Sequence, residues 1–323
     1  MTFLKPTALK KGSTIALITP SSRPYDPGKI TSFKQFLEQQ GFHVRLGQHL
    51  TKRFGNFAGT DAVRVEDFHW AWSDPEIDAI ICERGGNGGA RILPYLDFDM
   101  IRKNPKIFVG YSDITAFHLA IHQLTSLVTF HGPVGTTARS SRYTWEQLFQ
   151  ALTSTHPIGA IGDPPEPEGG AFPPPYPPYR MVFNEGEAVG ELIGGNFTLI
   201  SQLMGTPYEI DTKGKILFLE DIGEDPSSLD QMLTHLKHAG KLDDAAGIIF
   251  GACEQCGPQD YFLMNFSLEE IFREHTAHLN IPVVYGLRLG HTKDQFTIPL
   301  GVQAQLTAHT NEVQLSILEA ACR

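Results

Sequence analysis

KIFVGYSDITAFHLAIHQL, residues 106–124, reads as a short buried strand, a sharp turn and a helix. Ile107, Phe108 and Val109 form a continuous apolar run of strand length, and Ile114, Phe117, Leu119, Ile121 and Leu124 recur at helical spacing. Gly110, Tyr111, Ser112 and Asp113 are left to make the turn. A serine on a strand-to-helix turn projects its hydroxyl beside the helix N-terminus, where unpaired N–H groups receive negative charge. That is where an acyl-transfer nucleophile belongs. Ser-Asp before an apolar helical run is also an ordinary N-cap, and these residues alone favour the cap.

Outward from this turn, strands and helices alternate. Residues 14–19 form a buried-strand candidate ending in Pro20-Ser21-Ser22; residues 30–40 have helical spacing and 42–46 look like the next strand. A helix at 61–72 and an apolar strand at 79–82 follow, then a glycine cluster at 85–89 and a possible helix start at 90–96. The alternation predicts a parallel α/β sheet, with sites beyond the carboxyl ends of its strands. Pro20-Ser21-Ser22, residues 83–89 and residues 110–113 all follow predicted strands and so should converge on one edge.

Residues 162–178 are dense in proline and cannot sustain a helix or a central strand, so 161–183 is expected to be a linker or loop between an N-terminal domain, 1–160, and a C-terminal one, 184–323. The second half offers strands at 188–193, 215–219, 246–250, 282–287, 303–307 and 313–318, with helices at 197–204, 228–239 and 268–278. It reads as α+β and richer in strands. With 323 residues, 41% hydrophobic and 19% charged, the chain has the length and composition of a two-domain globular protein. A formal charge of −10 argues against a nucleic-acid surface. The first residues hold no apolar run long enough for a signal segment or a membrane span, and a cytoplasmic protein is expected. Cys253-Glu254-Gln255-Cys256 has redox or zinc-knuckle spacing, but without a second ligand pair a structural role is favoured; no metal or cofactor is required.

A serine hydroxyl needs a base, and the base needs a third group to fix its tautomer. Among 13 histidines, His291 stands out on an exposed polar turn after the apolar strand 282–287, whereas His118, His122, His235 and His238 lie on amphipathic helices as surface or packing residues. Glu220, at the end of the apolar run 215–219, is the acid candidate; a structural ion pair or a capping network with Asp221, Glu224 and Asp225 is about as good a reading of it. Gly85-Gly86-Asn87-Gly88-Gly89 offers a backbone that can approach an oxyanion, and the N–H of Asp113 a second donor. The loop is neither Walker A nor a dinucleotide fingerprint. Ile114 stands where G-x-S-x-G has its second glycine, against an ordinary α/β-hydrolase.

Gly110-Tyr111-Ser112-Asp113, Glu220-Asp221 and Gly290-His291, together with Arg84-Gly85-Gly86-Asn87-Gly88, Arg91, His131-Gly132-Pro133, Gly194-Gly195-Asn196, Gly205-Thr206-Pro207 and Pro299-Leu300-Gly301, resemble the LD-carboxypeptidase family over nearly the whole chain. The resemblance implies a flavodoxin-like parallel-sheet α/β domain followed by a smaller β-rich α+β domain. It implies a triad of Ser112, Glu220 and His291, with oxyanion donors at the backbone N–H groups of Gly86 and Asp113. It further implies a cytoplasmic homodimer that releases terminal D-alanine from an L,D-bond in murein tetrapeptides. A second branch of the family, the microcin C immunity peptidases, cleaves aminoacyl-nucleotide conjugates. A non-catalytic two-lobed binding protein is the alternative of another class. A carboxypeptidase must also hold a free carboxylate, for which Arg84 or Arg91, beside Gly85, are candidates through bidentate contact.

Overall fold

The computed structural model describes residues 3–137, 141–163, 180–257 and 266–323. Its strands are β1 (Thr14–Ile18), β2 (His43–Leu46), β3 (Ala79–Cys82), β4 (Ile107–Gly110), β5 (Thr129–His131), β6 (Gly159–Ala160), β7 (Met181–Asn184), β8 (Gly186–Asn196), β9 (Ile216–Glu220), β10 (Gly247–Gly251), β11 (Val283–Leu287), β12 (Ile298–Leu300), β13 (Gln303–His309) and β14 (Glu312–Ile317). The first sheet has the order β12-β5-β4-β3-β1-β2. Within it β2, β1, β3, β4 and β5 run parallel, as the alternating sequence predicts, and in the flavodoxin order that the resemblance implies. Every residue of β3 and β4 is buried, because helices cover both faces.

The second sheet has the order β6-β14-β13-β8-β9-β10-β11-β7. Its centre, β8 to β11, is parallel, and antiparallel strands flank it on both sides. The first half of β8 pairs with β13, and Leu192–Asn196 pairs with β9, so Asn196 lies beside Glu220. The two sheets are stitched together. β12, from the second half of the chain, adds antiparallel to β5 at the edge of the first sheet. Asn196 N–H donates to the Thr115 hydroxyl at 3.0 Å, and Gln295 N–H donates to the Thr144 hydroxyl at 3.0 Å. No helix of the described residues is long and apolar enough to cross a membrane.

Strands and helices expected at strongly periodic segments are present within a few residues of their expected ends. Residues 90–96, expected to open a helix, form a 3-10 turn, Ala90–Tyr95, with Pro94 inside it. Proline withholds an N–H and stops the turn from growing. β5 and β12 went unrecognised: each has three residues, and β12 contains Pro299, tolerated because it lies on the sheet edge. The proline-rich residues 164–178 lie outside the described residues.

Behind the Ser112 turn, buried His118 donates through Nε2 to the Gly110 carbonyl at 2.8 Å and accepts at Nδ1 from the Thr129 hydroxyl at 2.9 Å. Burial, and then neighbouring His131, push its pKa down to about 3, so the ring is neutral. It therefore ties the end of β4 to β5 by two neutral hydrogen bonds. His118→Leu should cost about 1–3 kcal/mol, since the Thr129 hydroxyl would be left buried without this partner. Urea denaturation of the two proteins measures it, and unchanged stability would mean the ring carries no such load.

Candidate active site

At the end of β4 the chain turns without room to spare. A Cβ on Gly110 would stand 2.7 Å from Ile114 Cγ2, and Ser112 takes a φ of +64°, a left-handed conformation that non-glycine residues rarely adopt. Residues Ser112–Ile114 form one 3-10 turn, which runs into the helix Thr115–Thr125. Neither turn nor helix has a side-chain cap, so the N-cap reading of Ser112 fails. Asp113, also proposed as a cap, instead accepts from Gly89 N–H at 2.7 Å and clamps the glycine loop onto the turn. Burial raises the Asp113 pKa, against the hydrogen bonds it accepts.

The glycine loop follows β3 and lies against this turn. A Cβ on Gly85 would stand 2.9 Å from Ser112 Cβ and 3.3 Å from the Asp113 nitrogen, so only glycine permits the approach. Gly86 is exposed with a φ of +101°. The loop is anchored from outside. The Ser22 hydroxyl donates to Asn87 Oδ1 at 2.9 Å and accepts from Asn87 N–H at 3.0 Å, while the buried Arg64 donates to the Pro20 and Gly88 carbonyls at 2.7 and 2.8 Å. The three loops expected to share one edge of the sheet therefore do so.

Glu220 ends β9 with no exposed side-chain surface. Its Oε2 accepts from His291 Nδ1 at 2.8 Å and from His291 N–H at 3.3 Å, while Oε1 faces His131 Nε2 at 3.7 Å. A Cβ on Gly290 would stand 1.9 Å from Glu220 Oε2, so glycine before the histidine is a condition of this approach. Burial alone would raise the Glu220 pKa; the charge and hydrogen bond of His291 outweigh it, and the carboxyl sits below the usual range. For His291 burial opposes the charge, yet Glu220 wins and the imidazole pKa is raised. With Nδ1–H committed to Glu220, the ring's Nε2 is left to accept a proton. The capping alternative for Glu220 belongs to its neighbours: Asp221 accepts from Thr198 N–H at 2.8 Å and Asn196 Nδ2 at 2.9 Å, and Asp225 caps the helix Pro226–His238.

The Tyr111 ring meets His291 edge-on at 4.8 Å, which brings the residue before Ser112 against the imidazole. Among the described residues Ser112 itself makes no side-chain hydrogen bond, so the Glu220–His291 half of the expected triad is joined and the serine half is not. Arg91 is committed to Asp61 through Nε at 3.2 Å and Nη2 at 2.8 Å. Arg84 donates to the Arg23 carbonyl at 2.7 Å and lies over the Tyr25 ring at 3.6 Å. Cys253 and Cys256 form a disulfide in the turn after β10, beside residues 221–224. Among the described residues no group of three or more His, Cys, Asp or Glu side chains is placed to hold a metal. Sequence reading gave no role to Tyr111 or His131. His131 follows the strand-prone residues Val128, Thr129 and Phe130, and that strand-end position was the available signal.

Residues 15–132 match the LD-carboxypeptidase N-terminal domain and residues 189–306 the LD-carboxypeptidase C-terminal domain. Ser112 falls in the first match, Glu220 and His291 in the second. A probable murein peptide carboxypeptidase of Bacillus subtilis is 39% identical, over 99% of this chain and 97% of that protein. The murein tetrapeptide carboxypeptidase of Pseudomonas aeruginosa is 31% identical over 90% and 92%. Among solved structures, the microcin C7 self-immunity protein in complex with glutamyl sulfamoyl guanosine superposes with a TM-score of 0.87 at 26% identity, over 99% of this chain and all of that one. With both halves matched in order and the relatives aligned nearly end to end, the chain belongs to the LD-carboxypeptidase family, a family of serine peptidases.

Proposed function

We propose that the protein is a serine carboxypeptidase that hydrolyses an L,D-peptide bond and releases terminal D-alanine from murein tetrapeptide. The Glu220–His291 hydrogen bond of 2.8 Å beside the strained Ser112 turn carries the reading. His291 Nε2 takes the Ser112 proton as the hydroxyl oxygen attacks the scissile carbonyl carbon. Glu220 holds the tautomer and balances the imidazolium that forms. The oxyanion is received by the N–H groups of Gly86 and Asp113, and the imidazolium then protonates the departing D-alanine amine. Water, deprotonated by the same ring, releases the acyl group from Ser112. The Ser112–His291 hydrogen bond is one that tightens in the loaded enzyme.

The likeness to the microcin C7 self-immunity protein supports a second reading, hydrolysis of an aminoacyl-nucleotide conjugate by the same triad. The cytoplasmic homodimer expected from the resemblance goes with either reading and rests on that resemblance.

Ser112→Ala should lower D-alanine release from murein tetrapeptide by about 10⁴-fold or more, read in an amino-acid oxidase assay. Equal release by both proteins would sink the triad. Release by neither protein, with cleavage of a glutamyl sulfamoyl nucleoside by the wild type alone, would favour the second reading.

The base works unprotonated, and Glu220 raises its pKa, so the acid limb of kcat/KM should lie above the ordinary histidine value of 6.5. In Glu220→Gln the raising charge is gone and burial remains. The limb should move to lower pH while the plateau falls by roughly 10³ to 10⁴-fold. A limb that stays in place in that variant would show that another group titrates.

A further inference from the structure

Resting on the carboxypeptidase reading, we propose that Arg84, braced by Tyr25, receives the free carboxylate of the substrate's terminal residue and so restricts the enzyme to the chain end. The chemistry sets where such a receptor must be. In a peptide cut at its last bond, the terminal carboxyl carbon is three bonds from the scissile carbonyl carbon, a span of about 4 Å at most. The carboxylate is therefore bound close beside the oxyanion donors.

Arg84 lies next to the expected oxyanion donor Gly86. It precedes Gly85, whose backbone lies against Ser112, and its Nε is 3.8 Å from the position of a Cβ on Gly86. Three other arginines near the site are engaged with carboxylates. Arg64 and Arg91 share Asp61, and Arg288 faces Asp294 at 3.4 Å. Arg84 has no carboxylate partner among the described residues. Its Nη1 donates to the Arg23 carbonyl at 2.7 Å, one of five N–H donors in a planar fork.

Its posture is fixed before any ligand arrives. The guanidinium carbon stands 3.6 Å from the centroid of the Tyr25 ring, and Tyr25 is 79% exposed, an unusual exposure for an aromatic side chain. Stacking leaves the edge of the guanidinium, which carries the donors, open to a carboxylate, and a pre-positioned fork loses less entropy on binding. Arg23 adds positive potential beside Tyr25, whose phenol is lowered chiefly by Arg84 and further by Arg23.

The test is calorimetric binding of murein tetrapeptide and of its C-terminal amide to Ser112→Ala protein, which cannot turn them over. The free acid should bind on the order of 10²-fold tighter than the amide. Adding Arg84→Gln should bring the acid down to the amide's level and leave the amide unchanged. Arg84→Lys should keep part of the preference, and Tyr25→Ala should weaken the acid alone. Equal affinity for acid and amide, or a preference that survives Arg84→Gln, would overturn the proposal. Failure of the peptidase reading is seen separately, as no Ser112-dependent D-alanine release while the preference for the acid persists.

Discussion

A carboxylate with no exposed surface has to be compensated or neutralised, and Glu220 fixes the terms for everything around it. Removing an ion from water costs several kcal/mol, and a buried pair that loses one member is destabilised by about 3–5 kcal/mol. Two imidazoles meet the two oxygens of Glu220, and their environments drive them apart. His131 is fully buried, and its pKa is pushed down to about 4. His291 is raised by the same carboxylate that His131 faces at 3.7 Å. The charge on Glu220 favours the protonated form of both rings; at His131 complete burial outweighs it and the ring is kept neutral, whereas at His291 the charge and a direct hydrogen bond together outweigh burial.

On the Ser112 side the constraint is backbone strain. A φ of +64° at Ser112 persists because its surroundings leave no alternative. Asp113 holds the glycine loop down from one side. His118 holds the end of β4 from the other, and the Thr115 hydroxyl takes Asn196 N–H from the second sheet at 3.0 Å. The glycines around the site serve close approach: Gly85 meets Ser112, and Gly290 meets Glu220.

The alternation of apolar runs and helical spacing made the parallel sheet legible, because β1, β3 and β4 are buried on both faces and their residues say so. Ser112, Glu220 and His291 were legible as strand-end residues, and their partnership came from motif order rather than from any local pattern. What stayed hidden depends on contacts between distant segments. Nothing near Arg91 in sequence announces Asp61, 30 residues away, and nothing near Arg84 announces the Tyr25 ring. β12 was hidden for a different reason: a proline argues against a central strand, and whether a strand is central is a property of the sheet. The network of Asp221, Asn196 and Thr198 could not be divided from Glu220 until the hydrogen bonds assigned capping to one carboxylate and the histidine to the other.

β12 also explains how residues from opposite halves of the chain hold a common geometry. His291 leaves β11, a strand of the second sheet, and the chain then reaches β12, which pairs with β5 in the sheet that carries Ser112. Between them Gln295 N–H is fixed to Thr144, on the helix Arg142–Thr153. His291 is therefore tethered to the sheet that carries Ser112, while Glu220 ends a strand of the other sheet. Relative motion of the two sheets would have to stretch the Glu220–His291 bond or unpair β12. β12 is buried and the Glu220–His291 bond partly so, and domain packing and the alignment of the site are one condition. In a G-x-S-x-G hydrolase one strand-to-helix turn supplies much of that alignment; here, with Ile114 in place of the second glycine, it is distributed across the interface between two sheets.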